Sequence, residues 1–326
     1  MSAYRIWHPE VFQGMGRRKN YFEGWYYKLI DKGNENVLGI IPGIALGRTR
    51  EDSHAFIQIF DAGKGKTHYL YYPLNAFSAN KRVFQVRIAG NLFTEEKMVL
   101  DIQNHDIGIR AELMFDEIEK YPQTLLSPGI MGPFSFLPFM ECHHGIVNMR
   151  HRIHGKLTMN GRPIDFEDGE GYVEKDWGRS FPSAWIWAQA NHFADAKASF
   201  MFSLANIPFM GREFRGMIAF FKDENRFARF ATYNFSKLRR LSLNADFLEI
   251  GLESRQFILS AKIKRAQGYL LKAPESGRMV RMIEETIGAE ASLVLTDKDG
   301  SLLFEGASPN CGLEISEKAE SVWMRS

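Results

Sequence analysis

The chain has 326 residues, 45% hydrophobic and 25% charged, and its 41 basic and 39 acidic side chains leave a net charge of +2. That balance excludes nucleic acid or an anionic membrane surface as the main partner, and a chain this long buries a large core without staples. The two cysteines, Cys142 and Cys311, form no CxxC pair, so a thiolate zinc site is excluded.

The opening residues Met1–Glu10 lack the apolar core of a signal peptide. The expectation is a cytoplasmic protein with at most peripheral membrane contact. Strand signals then dominate: short runs rich in β-branched and aromatic residues, separated by turn residues. They begin at Tyr21–Ile30, Val37–Ile41, Ala55–Phe60 and His68–Tyr72. Val83–Ile88, Met98–Ile102, Ile107–Phe115 and Lys156–Met159 follow. After Ala184–Asn191 come Ser199–Ala205, Gly216–Phe221, Phe227–Tyr233 and Phe257–Ala261, then Ser292–Leu295 and Leu302–Glu305. Asn160-Gly161 and Asp299-Gly300 supply the positive φ of tight hairpins. Pro274–Ala291 is the best candidate for a short helix. The most apolar run, Ile130–Met140, is short and holds Pro133 and Pro138, so it spans no bilayer as a helix.

Two halves repeat faintly. Trp25 to Phe56 and Trp185 to Gly216 are equally spaced, each pair joining an aromatic strand to a later one. This predicts an all-β chain of two related antiparallel units with few short helices. The Pro/Gly-rich stretch Tyr121–Pro138, with its four prolines, is the expected junction. The boundary then divides residues 1–135 from 136–326.

Three constellations carry candidate chemistry. On a strand, Tyr21, Glu23, Trp25 and Tyr27 share one face, opposite Phe22, Tyr26 and Lys28. A carboxylate beside an indole and a phenol needs a partner or a raised pKa; the competing reading is an ion pair at a barrel mouth. In Met140-Glu141-Cys142-His143-His144-Gly145, adjacent histidines cannot face the same way, and Glu141 with His143 could form an acid–base pair. His54, His151, His154 and His192 are not spaced to add a metal site, so no metal and no other cofactor is expected. In Gly169–Pro182, Glu174 and Asp176 share a face. Two close carboxyls cannot both ionise easily, so one can donate a proton, with Arg179 or Lys175 holding the other ionised. The competing reading is a solvated turn. There is no GxSxG elbow, phosphate-binding loop or dinucleotide fingerprint.

Together these motifs resemble the tocopherol cyclase family. The resemblance rests on Tyr21-Phe22-Glu23-Gly24-Trp25-Tyr26, Gly132-Pro133-Phe134-Ser135-Phe136, Met140–Gly145 and Gly171-Tyr172-Val173-Glu174-Lys175-Asp176-Trp177-Gly178-Arg179-Ser180-Phe181-Pro182. Trp185–Phe193 and the terminal Phe304–Gly306 and Gly312–Glu314 are similar too. The family is distantly related to carotenoid 1,2-hydratases, and the resemblance implies two lipocalin-like β-barrels in tandem. It also implies protonation of a prenyl double bond, then ring closure by a phenolic oxygen or, as in the hydratases, addition of water. On that chemistry Asp176 is the expected proton donor, tuned by Glu174 or His143. Glu23 or Glu141 could deprotonate the attacking hydroxyl. Trp25, Tyr26, Trp177, Trp185 and Trp187, with Arg179 and Asn191, would bind a small apolar prenyl or lipid ligand. The rival expectation is a lipocalin-like carrier that does no chemistry. Carboxylates turned away from bulk solvent favour the enzyme.

Overall fold

Short segments, some alternating apolar and polar side chains and others buried on both faces, give most of the chain its β structure. A computed structural model describes residues 3–62, 65–138, 140–193, 196–209 and 212–323. The first group of strands is β1 (Tyr21–Ile30), β2 (Val37–Leu46), β3 (His54–Asp61), β4 (Lys66–Tyr72), β5 (Phe77–Ala79) and β6 (Gln85–Ile88). It continues with β7 (Asn91–Thr94), β8 (Lys97–Gln103), β9 (Gly108–Glu119), β10 (Cys142–Met159), β11 (Arg162–Asp165) and β12 (Gly169–Gly178). These form one antiparallel sheet in the order β4-β3-β2-β1-β12-β10-β9-β8-β7-β6-β5, with β11 paired to β10. Its edge strands β4 and β5 are consecutive in the chain, joined through the short 3-10 turn Leu74–Ala76. The sheet therefore curls into a nearly closed barrel.

The second group is β13 (Trp185–Ala190), β14 (Ser199–Phe209), β15 (Arg212–Lys222), β16 (Phe227–Ala231) and β17 (Lys237–Leu243). It ends with β18 (Phe247–Glu253), β19 (Phe257–Lys264), β20 (Tyr269–Glu275), β21 (Arg278–Asp297) and β22 (Leu302–Ile315). The order is β16-β15-β14-β13-β22-β21-β19-β18-β17, with β20 paired to β21. Again the edges, β16 and β17, are consecutive and joined by a 3-10 turn, Thr232–Asn234. Two short helices, α1 (Ala3–Trp7) and α2 (Glu317–Trp323), lie near the ends of the chain. No helix among the described residues is long and apolar enough to cross a membrane.

The two sheets have the same winding, which bears out the all-β tandem-barrel expectation. β1 and β13 hold equivalent places, each beside a long returning strand. Trp25 nevertheless lies among the core residues of its barrel, whereas the core side of β13 is Ala184, Ile186, Ala188 and Ala190. Trp185 is on the other face. The equal spacing marks equivalent strands, not equivalent positions.

The division of the chain differs from the expected boundary at 135/136. One compact unit comprises Met1–Phe181 and Leu271–Met282; the other comprises Pro182–Leu270 and Ile283–Ser326. The reason is pairing: β12 fills the gap between β1 and β10, so the chain cannot leave the first sheet before Gly178. Tyr121–Pro138 is a connection inside the first unit, not the junction. The expected helix at Pro274–Ala291 is instead the end of β20, the turn at Ser276-Gly277 and the first 14 residues of β21. Met279, Ile283 and Glu285 are buried while Val280, Met282 and Glu284 are exposed, a strand alternation broken only at Arg281.

Two glycines of the Gly171–Pro182 motif have steric causes. Gly178 has φ 153°, and a Cβ there would lie 2.3 Å from the Glu141 carbonyl oxygen. At Gly171 a Cβ would lie 2.1 Å from Nε2 of His151, a fully buried imidazole. Gly171→Ala should therefore cost about 1–3 kcal/mol by overpacking. In a His151→Ala background most of that cost should vanish, giving a coupling on the order of 1 kcal/mol in urea unfolding. Equal costs in both backgrounds would contradict the contact.

Candidate functional site

Strand β12 lies at the centre of the site because its two faces carry different chemistry. Val173, Lys175 and Trp177 face the barrel interior; Tyr172, Glu174 and Asp176 face the other way. Its neighbours β1 and β10 pair with it antiparallel, placing Glu23 opposite Trp177, Trp25 opposite Lys175, and His144 opposite Asp176.

On the interior face, Lys175 and Glu23 form an ion pair at 2.5 Å with both side chains wholly inaccessible to solvent. Such a pair persists only if the remaining donors and acceptors are satisfied. They are. The Glu23 carboxylate accepts from the Gln13 amide at 2.8 Å, from the Gly14 amide at 2.9 Å and from the Tyr21 hydroxyl. The Lys175 ammonium also donates to the carbonyls of Pro9 at 2.8 Å and Val11 at 2.5 Å. It sits 4.6 Å from the Trp25 ring centre and 4.9 Å from that of Trp177. Burial pulls the Lys175 pKa down while Glu23 opposes it. Burial, reinforced by Glu23, pushes the Tyr21 phenol far above its ordinary value.

This changes the expected roles of several residues. The cation held by the Trp25 and Trp177 rings is the protein's own lysine. Trp25 is fully buried, and its indole nitrogen donates to the Glu10 carbonyl at 2.9 Å. Glu23, saturated by donors, fits the ion-pair reading rather than that of a general base. His143 also faces inward, stacked on Trp177 at 5.3 Å between ring centres. Burial and the nearby Arg17 charge lower its pKa to about 4, so it is neutral near pH 7. It therefore lies away from Asp176 and cannot tune it directly.

The opposite face gathers a different set. His144 Nδ1 lies 2.9 Å from Asp176 Oδ1, and its Nε2 lies 3.5 Å from Glu174 Oε2. The Tyr172 hydroxyl donates to the same Glu174 oxygen at 2.6 Å. Burial, then the Glu174 charge, raises the Tyr172 pKa well above its usual value. The Cys142 sulfur lies 3.9 Å from Asp176 Oδ1, and its pKa is raised by burial and then by the Asp176 and Glu141 charges. The Glu174 and Asp176 side chains are 6% and 25% exposed, so neither points into bulk solvent. The Met131 sulfur, from the 121–138 connection, accepts the His144 amide at 3.1 Å. The imidazole is thus hydrogen-bonded to Asp176 and lies within ion-pair distance of Glu174, which accepts the Tyr172 phenol. Protons in such a set belong to the group rather than to one residue.

The remaining expected site residues are dispersed. Glu141 precedes β10, and its backbone carbonyl accepts the Arg179 amide at 2.8 Å. Arg179 is exposed just past β12. Tyr26 is buried on the outer face of β1, its ring 6.1 Å from Phe60. In the second unit, Trp185 donates from its indole nitrogen to Glu314 at 2.7 Å, and Asn191 accepts from Gln189 at 3.0 Å. Trp187 is 5% exposed against Gly312. Trp25 and Trp177 therefore share neither a face nor a unit with Trp185 and Trp187. On the sequence alone, Lys175 is matched with the neighbouring acids rather than with Glu23, His143 is favoured over His144, and Tyr172 is not singled out. Alternation separates His143 from His144, but only the β10–β12 register shows which of them meets the acids.

One histidine and two carboxylates are also a metal-ligating set. Donor atoms of His144, Glu174 and Asp176 lie within 4.8 Å of one another, and none of His54, His151, His154 or His192 joins that group among the described residues.

Comparison with known proteins agrees with this architecture. The profile of the tocopherol cyclase-like family matches residues 109–317, more than half of the chain. A probable chloroplastic tocopherol cyclase of Oryza sativa subsp. japonica is 35% identical over 65 residues, which are 20% of this chain and 14% of that protein. The chloroplastic tocopherol cyclase of Zea mays matches to the same extent. Among solved structures, kievitone hydratase from Nectria haematococca aligns with TM-score 0.50 and 11% identity, covering 94% of this chain and 93% of that one. CghA, solved with Sch210972, aligns with TM-score 0.56 and 10% identity, over 91% and 88%. A protein from Nitrosomonas europaea designated AttH aligns with TM-score 0.50 and 14% identity, over 91% and 92%. These structural likenesses establish the fold.

Two outcomes test the geometry. Lys175→Met leaves Glu23 buried and unpaired and should cost about 3–5 kcal/mol in urea unfolding; adding Glu23→Gln should restore part of it. A double variant no more stable than Lys175→Met would contradict the pairing. His143 and His151, with folded pKa values of about 4 and about 3, bind protons more weakly than unfolded histidine at about 6.5. Their contribution to stability is lost as pH falls below 6.5, at roughly 1.4 kcal/mol per pH unit for each group. His151→Leu should flatten the fall in melting temperature between pH 6.5 and 4, and an unchanged slope would contradict the assignment.

Proposed function

The chain belongs to the tocopherol cyclase-like family, and from that premise we propose that it is an acid-initiated cyclase or hydratase of an isoprenoid lipid. The observation that carries this reading is the His144 imidazole hydrogen-bonded to Asp176 and 3.5 Å from Glu174, all three largely withdrawn from solvent. Protonating a trisubstituted alkene requires a carboxylic acid positioned on its carbon and a route for reloading that acid. Asp176, the more accessible carboxyl, donates its proton to the alkene carbon, and the tertiary centre becomes a cation. A phenolic oxygen of the same substrate, or water, then forms the new C–O bond. The proton released from that oxygen returns to the His144–Glu174–Tyr172 set and back to Asp176. Atoms and charge balance without an oxidant or reductant.

The hydratase named among the structural relatives is consistent with the water-adding branch, and the plant cyclases with the ring-closing branch. A carrier has no use for two carboxyls gathered around an imidazole and sheltered from water.

Asp176→Asn should reduce turnover of a prenylated hydroquinone by about 10²–10⁴-fold, while the dissociation constant for the same compound stays within about threefold. Measured turnover equal to wild type would remove Asp176 as the acid. A chelator should leave the wild-type rate unchanged; loss on chelation with recovery on adding a divalent cation would replace proton transfer by metal chemistry at His144, Glu174 and Asp176.

A further inference from the structure

On the interior side of the same strands lies a cavity of about 800 Å³ that the acid site does not use. It is lined by Arg5, Arg17, Lys19 and Arg179 from three segments of the first unit: α1, the loop before β1 and the loop after β12. None of these four cations forms an ion pair among the described residues. Their field is felt inside: Arg17 lies 5.7 Å from the Tyr21 ring centre, and its charge also acts on His143.

The walls between the charges are apolar, formed by Met15, Pro138, Met140 and the Trp177 ring. Three lining residues also have buried polar atoms without a hydrogen-bond partner: the Trp177 indole nitrogen, Gln13 Oε1 and Asn20 Oδ1. The Gln13 orientation is fixed, because its amide nitrogen donates to the carbonyls of Arg5, His8 and Val11. Leaving such atoms unsatisfied is costly. The volume falls within the roughly 300–1,000 Å³ of small-molecule sites and is too small for a folded partner.

We propose that this cavity binds an amphiphilic organic anion, its carboxylate or phosphate head held by Arg17, Arg179 and Lys19 and its apolar body laid against Met15, Met140 and Trp177. The site is separate from Asp176, which projects from the other face of β12.

The test is calorimetric titration of the full chain, at low salt and below micelle-forming concentrations, with decanoate, decyl phosphate, decanol and inorganic phosphate. Decanoate or decyl phosphate should bind at least about tenfold more tightly than decanol, since two or more arginine contacts are lost with the neutral head. The tighter of the two anions identifies the head group. Arg17→Gln/Arg179→Gln should abolish that preference while leaving the melting temperature unchanged, and Lys81→Gln, outside the cavity, should leave both unchanged. Decanol binding as tightly as the anions would overturn the charged head; inorganic phosphate binding as tightly as decyl phosphate would overturn the apolar body. No saturable binding of either amphiphilic anion, or anion binding indifferent to the double substitution, would overturn the site altogether. None of these results depends on whether Asp176 is the acid.

Discussion

The buried pair between Glu23 and Lys175 is the constraint on which the first barrel depends. Two full charges removed from water are tolerated because every polar atom has a partner, and those partners come from distant places. Glu23 is on β1 and Lys175 on β12, so the pair ties the first strand to the strand that closes the sheet. The remaining donors and acceptors come from residues 9–14, which draws the segment preceding β1 over the barrel interior. Replacing such a pair with apolar residues can be neutral, whereas removing one member is not. The pair therefore specifies one arrangement of the N-terminal segment more than it adds stability.

Because β12 is extended, fixing Lys175 inward fixes Glu174 and Asp176 outward. The same 2-residue period that buries the lysine presents the acids to His144. One strand thus separates a buried, hydrogen-bond-saturated ion pair from the His144, Glu174 and Asp176 set. The separation keeps the Lys175 ammonium, paired with Glu23, on the opposite face of the strand from Asp176. Trp25 and Trp177 belong to the saturated side, where their rings face the lysine rather than a substrate cation.

Much of this was legible in the sequence. The alternation in Tyr21–Tyr27 placed Glu23 with the aromatic residues inside, and the alternation in Glu174–Trp177 paired the two acids on one face. The Trp25–Phe56 and Trp185–Gly216 spacing revealed the duplicated winding. What alternation cannot supply is register. The approach of His144 to Asp176, and not of His143, depends on how β10 slides against β12, across bulges between Ile146 and His151. The partner of Glu23 lies about 150 residues away, and nothing local to Lys175 distinguishes it from a surface lysine. The domain boundary was misplaced for a similar reason: prolines at 122–138 signal a break in strands, but a long connection inside a barrel contains the same residues. The helix expected at Pro274–Ala291 is strand instead, because the burial of its residues follows the strand period on either side of Arg281.

The central claim is that a proton moves from the Asp176 set to a substrate carbon. Turnover of a prenylated hydroquinone in deuterium oxide, with the product analysed by mass spectrometry and NMR, tests it most directly. The account predicts one solvent-derived deuteron per product, at the carbon next to the new C–O bond and on a single face, with Asp176→Asn forming that product about 10²–10⁴-fold more slowly. Product without solvent deuterium at that carbon, or with deuterium spread equally over both faces, would contradict it.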